Sequence, residues 1–406
     1  MDRDADVVVV GAGPVGTALA LDLVRRGRSV RLLEARPTRP PGSRAIGVHP
    51  AGLAVLDALG VADELLAAGR RVRRGRAWGA SGPIGELDLA ALPPPFPFVL
   101  TVPQPITERV LREALVRTRP EALELGARVE GLAQDPDGVT ILGRGMDGAE
   151  RRWRAAVVVG CDGRDGAVRE ALRVGRLGGP YPDRFAMADL PEGPELADDE
   201  ALIALARAGV VEGFPLPGGV RRWVVRVGPD DDPPPVGSAP PDGNAPPVGG
   251  DALAVWVAER VARRTGLLPA PELAGGASAF GVERWLADRF AVGRVALAGD
   301  AAHVLSPIGG QGMNLGWLDA AALAAAVGTL WDGAEPTGPR IAAALDAVGR
   351  RRRRAARRAI ARAAGNTALG RPVGPAAAAV RDALVGRYLR RPWAAMALAR
   401  FTMGGL

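Results

Sequence analysis

Two glycine-rich turns at opposite ends of the chain constrain its fold more than anything else in the sequence. The later one is the stretch 293–320, GRVALAGDAAHVLSPIGGQGMNLGWLDA. An apolar run over 295–298 stops at Gly299-Asp300, a turn carrying Gly309, Gly310 and Gly312 follows, and a small-residue helical pattern begins near Met313. The earlier one is 7–16, where an all-valine run meets Gly11-Ala12-Gly13-Pro14-Val15-Gly16. A strand that ends at an acid or at glycines and then opens a helix presents backbone N–H groups to a polar ligand. Both turns serve one ligand only if the fold brings them together.

The first turn belongs to a βαβ unit. Residues 7–10 are the run expected of a parallel strand covered on both faces. A helical pattern extends to about Arg26, Gly27 ends it, and 29–33 reads as the next strand, closing at Glu34. The first glycine permits the tight turn, the second admits a pyrophosphate, and the third lets helix and strand pack closely. Glu34 is placed to accept hydrogen bonds from ribose hydroxyls, which favours FAD or NAD over NADP.

Between the turns the pattern changes more than once. Residues 50–59 read as a helix, 72–100 as a hairpin region, and 107–119 as a helix capped by Thr107 with Gln104 just before it. Short strands are expected at 127–130 and 139–142 around the Asp137-Gly138 turn. A buried strand over 155–160 ends at Cys161-Asp162-Gly163, and Cys161 reads as a small buried residue beside that turn. From 178 to 280, short alternating segments (185–190, 210–216, 222–227) predict an antiparallel sheet. The Pro- and Gly-dense stretch 229–250 reads as a loop, and 251–265 as a helix. After 339 the chain is helical and rich in arginine: Arg350–Arg354, Arg357, Arg358 and Arg362 place eight arginines in thirteen positions. An apolar stripe (Ile341, Leu345, Val348, Ala355, Ala359, Ala363) runs beneath them, so the arginines read as a solvated face, with contact to an anionic membrane surface as the alternative.

Composition narrows the classes of function. At 406 residues the chain is long enough for two lobes. All 52 basic residues are arginine, which excludes any mechanism that needs a lysine. The net charge of +7 is modest for this length, and no nucleic-acid partner is expected. The single cysteine rules out an internal disulfide and fits a reducing cytoplasm, and neither a signal peptide nor a transmembrane run is expected. No metal site is expected, and a monomer or homodimer is the expected assembly.

Three motifs now stand in one order: G-x-G-x-x-G at 11–16, Asp162-Gly163 with Arg169, and Gly299-Asp300 with its downstream glycines. The set resembles the class A FAD-dependent aromatic monooxygenases, the para-hydroxybenzoate hydroxylase-like family, from residue 7 to about 330. The resemblance implies an α/β fold. A Rossmann-like FAD-binding domain (1–72, 100–178 and 282–335) would carry an inserted antiparallel β-sheet substrate domain (73–99 and 179–281). A C-terminal helical region (336–406) would follow, without the long thioredoxin-like extension of other members.

It also implies a site. Gly11, Gly13 and Gly16 would hold the FAD pyrophosphate, Glu34 the adenosine ribose, and Arg44 the phosphates. Gln104 would reach the ribityl chain and Asp300 the ribityl or pyrophosphate region, with Asp162 and Gly163 close by. Pro307, Gly309, Gly310, Gly312, Met313 and Asn314 would border the isoalloxazine ring, the helix N-terminus aimed at its pyrimidine edge. In such a family NAD(P)H reduces the flavin, O₂ adds to give a C4a-hydroperoxide, and a phenolic or quinol-type ring of secondary metabolism is hydroxylated.

Departures from the pattern are Gly166 where a serine is usual, with Asp165 beside it, and Trp317 near the flavin end, where packing of the helix is the expected role. Phenolate formation in the family commonly uses Tyr or His relays. Here Tyr181 is the candidate, a surface tyrosine being the alternative, and His303 reads as structural. The competing readings are a flavin-dependent isoprenoid reductase or cyclase of the geranylgeranyl-reductase type and a non-catalytic FAD-binding protein. A flavin halogenase would need a lysine.

Overall fold

The computed structural model describes residues 3–38, 45–228, 231–235, 249–307, 309–333, 335–391 and 394. Arg44, most of the expected 229–250 loop and nearly all of the chain beyond 391 lie outside the described residues.

One sheet is built around parallel strands in the order Val295–Leu297, Glu150–Gly160, Ala5–Val10, Val30–Glu34, Leu123–Leu125. The valines at 7–9 are wholly buried because helices cover one face and further strands the other. Arg128–Gln134 and Val139–Arg144 fold back antiparallel along Glu150–Gly160. The strand order places the ends of Ala5–Val10, Glu150–Gly160 and Val295–Leu297 side by side. That brings the turns after Val10, Gly160 and Leu297 to one edge.

The helix Pro14–Arg25 packs against both Gln104–Thr118 and Gln311–Gly328. The last of these runs on through a short 3-10 turn to Trp331, and by length and composition alone 311–331 could cross a membrane. It is instead a core helix: Leu315, Trp317, Ala320, Leu323, Ala324 and Val327 are all buried between its neighbours. Trp317 has no exposed surface, and its Nε1 donates to the Pro14 carbonyl at 3.1 Å. It therefore packs the helix, as expected.

The second sheet has eight strands and takes the hairpin Arg74–Gly79 and Gly82–Asp88, the strands Arg176–Pro191, Glu200–Ala204, Val211–Leu216, Val220–Val227 and Ala277–Ala287, and the short His303–Val304. All pairs are antiparallel except Glu200–Ala204 with Arg74–Gly79. One face is covered by the helix Gly250–Thr265, through Leu253, Ala254, Val257 and Val261.

Some boundaries differ from the sequence reading. The helix expected from Thr107 starts at Gln104, and Thr107 is buried within it. A proline is tolerated in a first helical turn, so Pro105 does not delay the start. The last long helix, Gly338–Leu369, exposes most of its arginines but not Arg352. Arg352 Nε sits 2.7 Å from Asp319 Oδ1, and Asp319 Oδ2 lies 2.6 Å from His303 Nε2. Burial alone would raise the Asp319 carboxyl, but His303 and Arg352 outweigh it and hold it below the usual range. Helix Pro375–Leu389 then folds back to contact the Arg74–Gly79 and Gly82–Asp88 hairpin.

Candidate active site

The turns at the edge of the parallel sheet and the uncovered face of the second sheet enclose one cleft of about 2070 Å³. Ordinary small-molecule pockets reach only ~1,000 Å³, so this one has room for a dinucleotide and a second ligand.

Two helices open into it with bare N-termini. Pro14–Arg25 has Gly13 as its N-cap, Gln311–Gly328 has Gly310, and neither N-cap side makes a capping hydrogen bond. No N-cap side chain takes up their first-turn N–H groups, and the helix dipoles favour negative charge there. Gly310 adopts φ +61°, a conformation that glycine takes at little cost. Among the described residues, a Cβ added at Gly13 or Gly312 would meet no atom within 4 Å, so both face the cleft.

Gly16 works differently. A Cβ there would lie 2.0 Å from the Gly11 carbonyl oxygen. Gly16 does not line the cleft; it lets helix and strand approach and so shapes the turn that Gly11 and Gly13 present. That is the close packing of helix and strand expected of the third glycine.

The three carboxylates expected at the site all line the cleft. Glu34 Oε2 accepts from Ala12 N at 2.9 Å, and Oε1 accepts from Arg36 N at 3.0 Å and Arg36 Nε at 3.2 Å. Those contacts hold it beside the first turn and leave little acceptor capacity free, roughly one lone pair. Asp162 Oδ2 accepts from Val168 N at 2.9 Å, while its Oδ1 is buried without a partner. Burial raises its carboxyl above the usual range, against the pull of the Val168 bond. Asp300 keeps much of its surface open, but that surface faces the cleft and not bulk water, and the enclosure raises its carboxyl too. Among the described residues no hydrogen bond reaches the Asp300 carboxylate.

Gly166 now has a physical reason. A Cβ there would fall 2.1 Å from Asp162 Oδ1, so the Asp162 carboxylate occupies the space a serine would need.

Gln104, Gly163, Pro307, Gly309, Gly310 and Met313 also line the cleft, and Gln104 Nε2 donates to Glu108 at 2.6 Å. The Asn314 side chain does not line it. Its Oδ1 accepts from His49 N at 2.8 Å, and its Nδ2 donates to the carbonyls of Gly47 and Gly310, both at 2.9 Å. His49 completes this brace through a hydrogen bond with the Gly309 backbone. Burial nevertheless lowers its imidazole to about 4, so it is neutral at pH 7. His49 was assigned no role in the sequence reading, since its partners lie some 260 residues away.

Cys161 lines the turn, and burial and then the nearby Asp162 and Asp319 carboxylates push its thiol well above the ordinary range, so it is no nucleophile. Tyr181 lies outside the cleft lining, stacked under the Arg284 guanidinium at 5.0 Å with its Oη buried and unpartnered. The sheet wall instead carries a carboxyl that sequence reasoning missed. Glu212, in the apolar run VVEGFPL, faces the cleft. A lone acid in an otherwise apolar strand was its only signal.

The residues present fit FAD. Uncapped N–H groups and open glycines suit a pyrophosphate, and the unpartnered oxygens of Asp162 and Asp300 are acceptors awaiting hydroxyl donors. The chain belongs to the FAD-binding domain family, whose model matches residues 4–363. It is 34% identical over 349 residues to the 12-dehydrotetracycline 5-monooxygenase/anhydrotetracycline 6-monooxygenase of Streptomyces rimosus, a match covering 82% of this chain and 64% of that protein. It is 30% identical over 321 residues to the pentachlorophenol 4-monooxygenase of Sphingobium chlorophenolicum, covering 78% and 57%. The chain thus spans somewhat under two-thirds of the length of these curated relatives. Among solved structures, an anhydrotetracycline hydroxylase from Streptomyces rimosus superposes with a TM-score of 0.75 at 28% identity, over 98% of this chain and 75% of that one. The p-nitrophenol 4-monooxygenase of Pseudomonas putida DLL-E4 shares the fold over 100% and 99% of the two chains, with a TM-score of 0.84 at 24% identity.

Proposed function

We propose that this chain is a FAD-dependent, NAD(P)H-consuming monooxygenase that hydroxylates a phenolic or quinol-type ring. The observation that carries the reading is the continuity of the cleft. One end is built for a dinucleotide; the other is an apolar sheet face formed by Met187, Ile203, Phe214, Val224 and Phe280. The relatives, named as monooxygenases of anhydrotetracycline and of pentachlorophenol, support the same reading. The boundaries 73–99 and 179–281 are taken as the substrate-binding part on the same grounds, and the single cysteine fits work in a reducing cytoplasm.

Bound FAD would supply the redox chemistry, taking electrons from a nicotinamide donor and activating O₂. The chain's own residues do the rest. The N-termini at Gly13 and Gly310 hold the anionic parts of the cofactor, Glu34 holds the adenosine ribose, and Asp162 and Asp300 accept from its hydroxyls. His49 and Asn314 fix the 309–314 turn so that its backbone keeps one position during turnover. The apolar sheet face would bind the ring and keep water out of the space where it reacts. Arg222, locked to Asp189 by a fork of 2.6 and 2.7 Å, stiffens that face.

The test is an oxygen-electrode assay on the purified FAD-loaded protein with NADH, NADPH and a panel of phenols. The expected result is O₂ uptake that a phenol stimulates and that matches nicotinamide oxidation. A protein that oxidises no nicotinamide with any phenol, or that binds no FAD, contradicts the reading.

A further inference from the structure

The strand Val211–Leu216 lies inside the second sheet, with Glu200–Ala204 on one side and Val220–Val227 on the other. Its register sets Glu212 opposite Ile203 and opposite Val224. Residues directly opposite in antiparallel strands share a face, and all three line the cleft. Val211, one residue earlier, points the other way into the core beneath the helix Gly250–Thr265. Glu212 is therefore a carboxyl set between aliphatic neighbours on the wall of the substrate end.

It is only 5% exposed, and no hydrogen bond or ion pair reaches its carboxylate among the described residues. The charged and titratable groups that share the wall are engaged elsewhere or set apart. Arg222 is forked to Asp189, Arg74 pairs with Asp199 and Arg76 with Glu200. Arg362 of Gly338–Leu369 and Tyr388 of Pro375–Leu389 reach the cleft from the C-terminal helices. None of them holds Glu212, and burial alone pushes its carboxyl up to about 7. A buried carboxylate without a partner costs stability, so a packing role does not account for it.

We propose that Glu212 is the base that receives the proton of the substrate's ring hydroxyl, an inference that rests on the aromatic-hydroxylase reading above. The substrate O–H bond breaks and an O–H bond forms on a Glu212 carboxylate oxygen. The electron pair stays on the phenolate oxygen and raises the nucleophilicity of the ring. No oxidant or reductant enters the step, and the single negative charge is conserved. It moves from a localised carboxylate, which the apolar wall disfavours, to a phenolate that spreads it over the ring. A base works best when its pKa lies near the working pH, and enclosure gives Glu212 that property. Tyr181, outside the cleft, is not needed for this step.

The test uses para-nitrophenol, whose phenol and phenolate forms absorb differently, bound to FAD-loaded protein without a nicotinamide donor. Difference spectra across pH report the ionisation of the bound probe. An ionised Glu212 beside the probe opposes a second negative charge, so the wild-type protein is expected to hold the probe as phenolate only from a pH about one unit higher than Glu212→Gln does. In turnover with the best phenol of the panel, Glu212→Gln is expected to lower kcat about 100-fold with little change in KM, and Glu212→Asp to recover part of the loss. FAD occupancy of each variant confirms that the fold survives. An unchanged phenolate fraction at every pH and an unchanged kcat in Glu212→Gln overturn the assignment of Glu212 alone. If wild-type protein binds no phenol of the panel, the aromatic-substrate reading falls, and the assignment with it.

Discussion

Glu212 works against the stability of the strand that carries it. Its carboxyl titrates near 4.5 when free and about 7 in the folded chain. Between those values the folded state binds the extra proton, so folding loses stability as pH rises through the window and regains it as pH falls. Glu212→Gln should therefore stabilise the protein by roughly 3 kcal/mol at about pH 8 and by next to nothing at about pH 3, below the unfolded value, measured by urea unfolding at both. Equal effects at the two pH values would contradict the burial argument. A substitution that stabilises while it slows turnover is the behaviour of a functional group kept at a cost to the fold. At Gly166 the expectation runs the other way. Restoring the serine usual in the family drives its Cβ to 2.1 Å from Asp162 Oδ1. Gly166→Ser is thus expected to lower the melting temperature and weaken FAD binding in a fluorescence titration, and tighter binding would count against this account of the turn.

At the scale of elements, the helix Gln311–Gly328 joins site to core: its first turn meets the cleft while Trp317 is sealed against Pro14. Trp317→Ala should cost about 3–5 kcal/mol, read by denaturant unfolding, and loosen FAD as the two bare helix ends lose their spacing. A cost below about 1 kcal/mol would show that the two helices are held by something else. The strand, glycine and acid signals of this region are local, which is why 295–300 and 7–16 were legible in the sequence. The start at Gln104 was not, because Thr107 looks like a better N-cap than Pro103 until its burial is known. Arg352 reads as one more solvated arginine until Asp319, from a different helix, is placed beside it. The brace of His49 with Asn314 and the facing of Glu212 depend equally on long-range contacts. No periodicity encodes which side of Val211–Leu216 meets the cleft.

At the scale of the molecule, the fold places two unlike surfaces around one space. The parallel sheet supplies helix ends and carboxylates, and the second sheet supplies a largely apolar wall. His303–Val304 ties them, since it belongs to the glycine-rich segment yet pairs with Ala277–Ala287 in the second sheet. The C-terminal helices contribute Arg362 and Tyr388 to the same cleft, so the arginine-rich segment is more than a solvated face. This arrangement accounts for a cofactor and a ring held in contact, which is the central claim. Its most direct test is turnover of a phenol under isotopically heavy O₂, with the product mass measured. One heavy oxygen atom is expected in the product for each nicotinamide oxidised in productive turnover. A product whose added oxygen comes from water, or a product that has gained no oxygen, would contradict it.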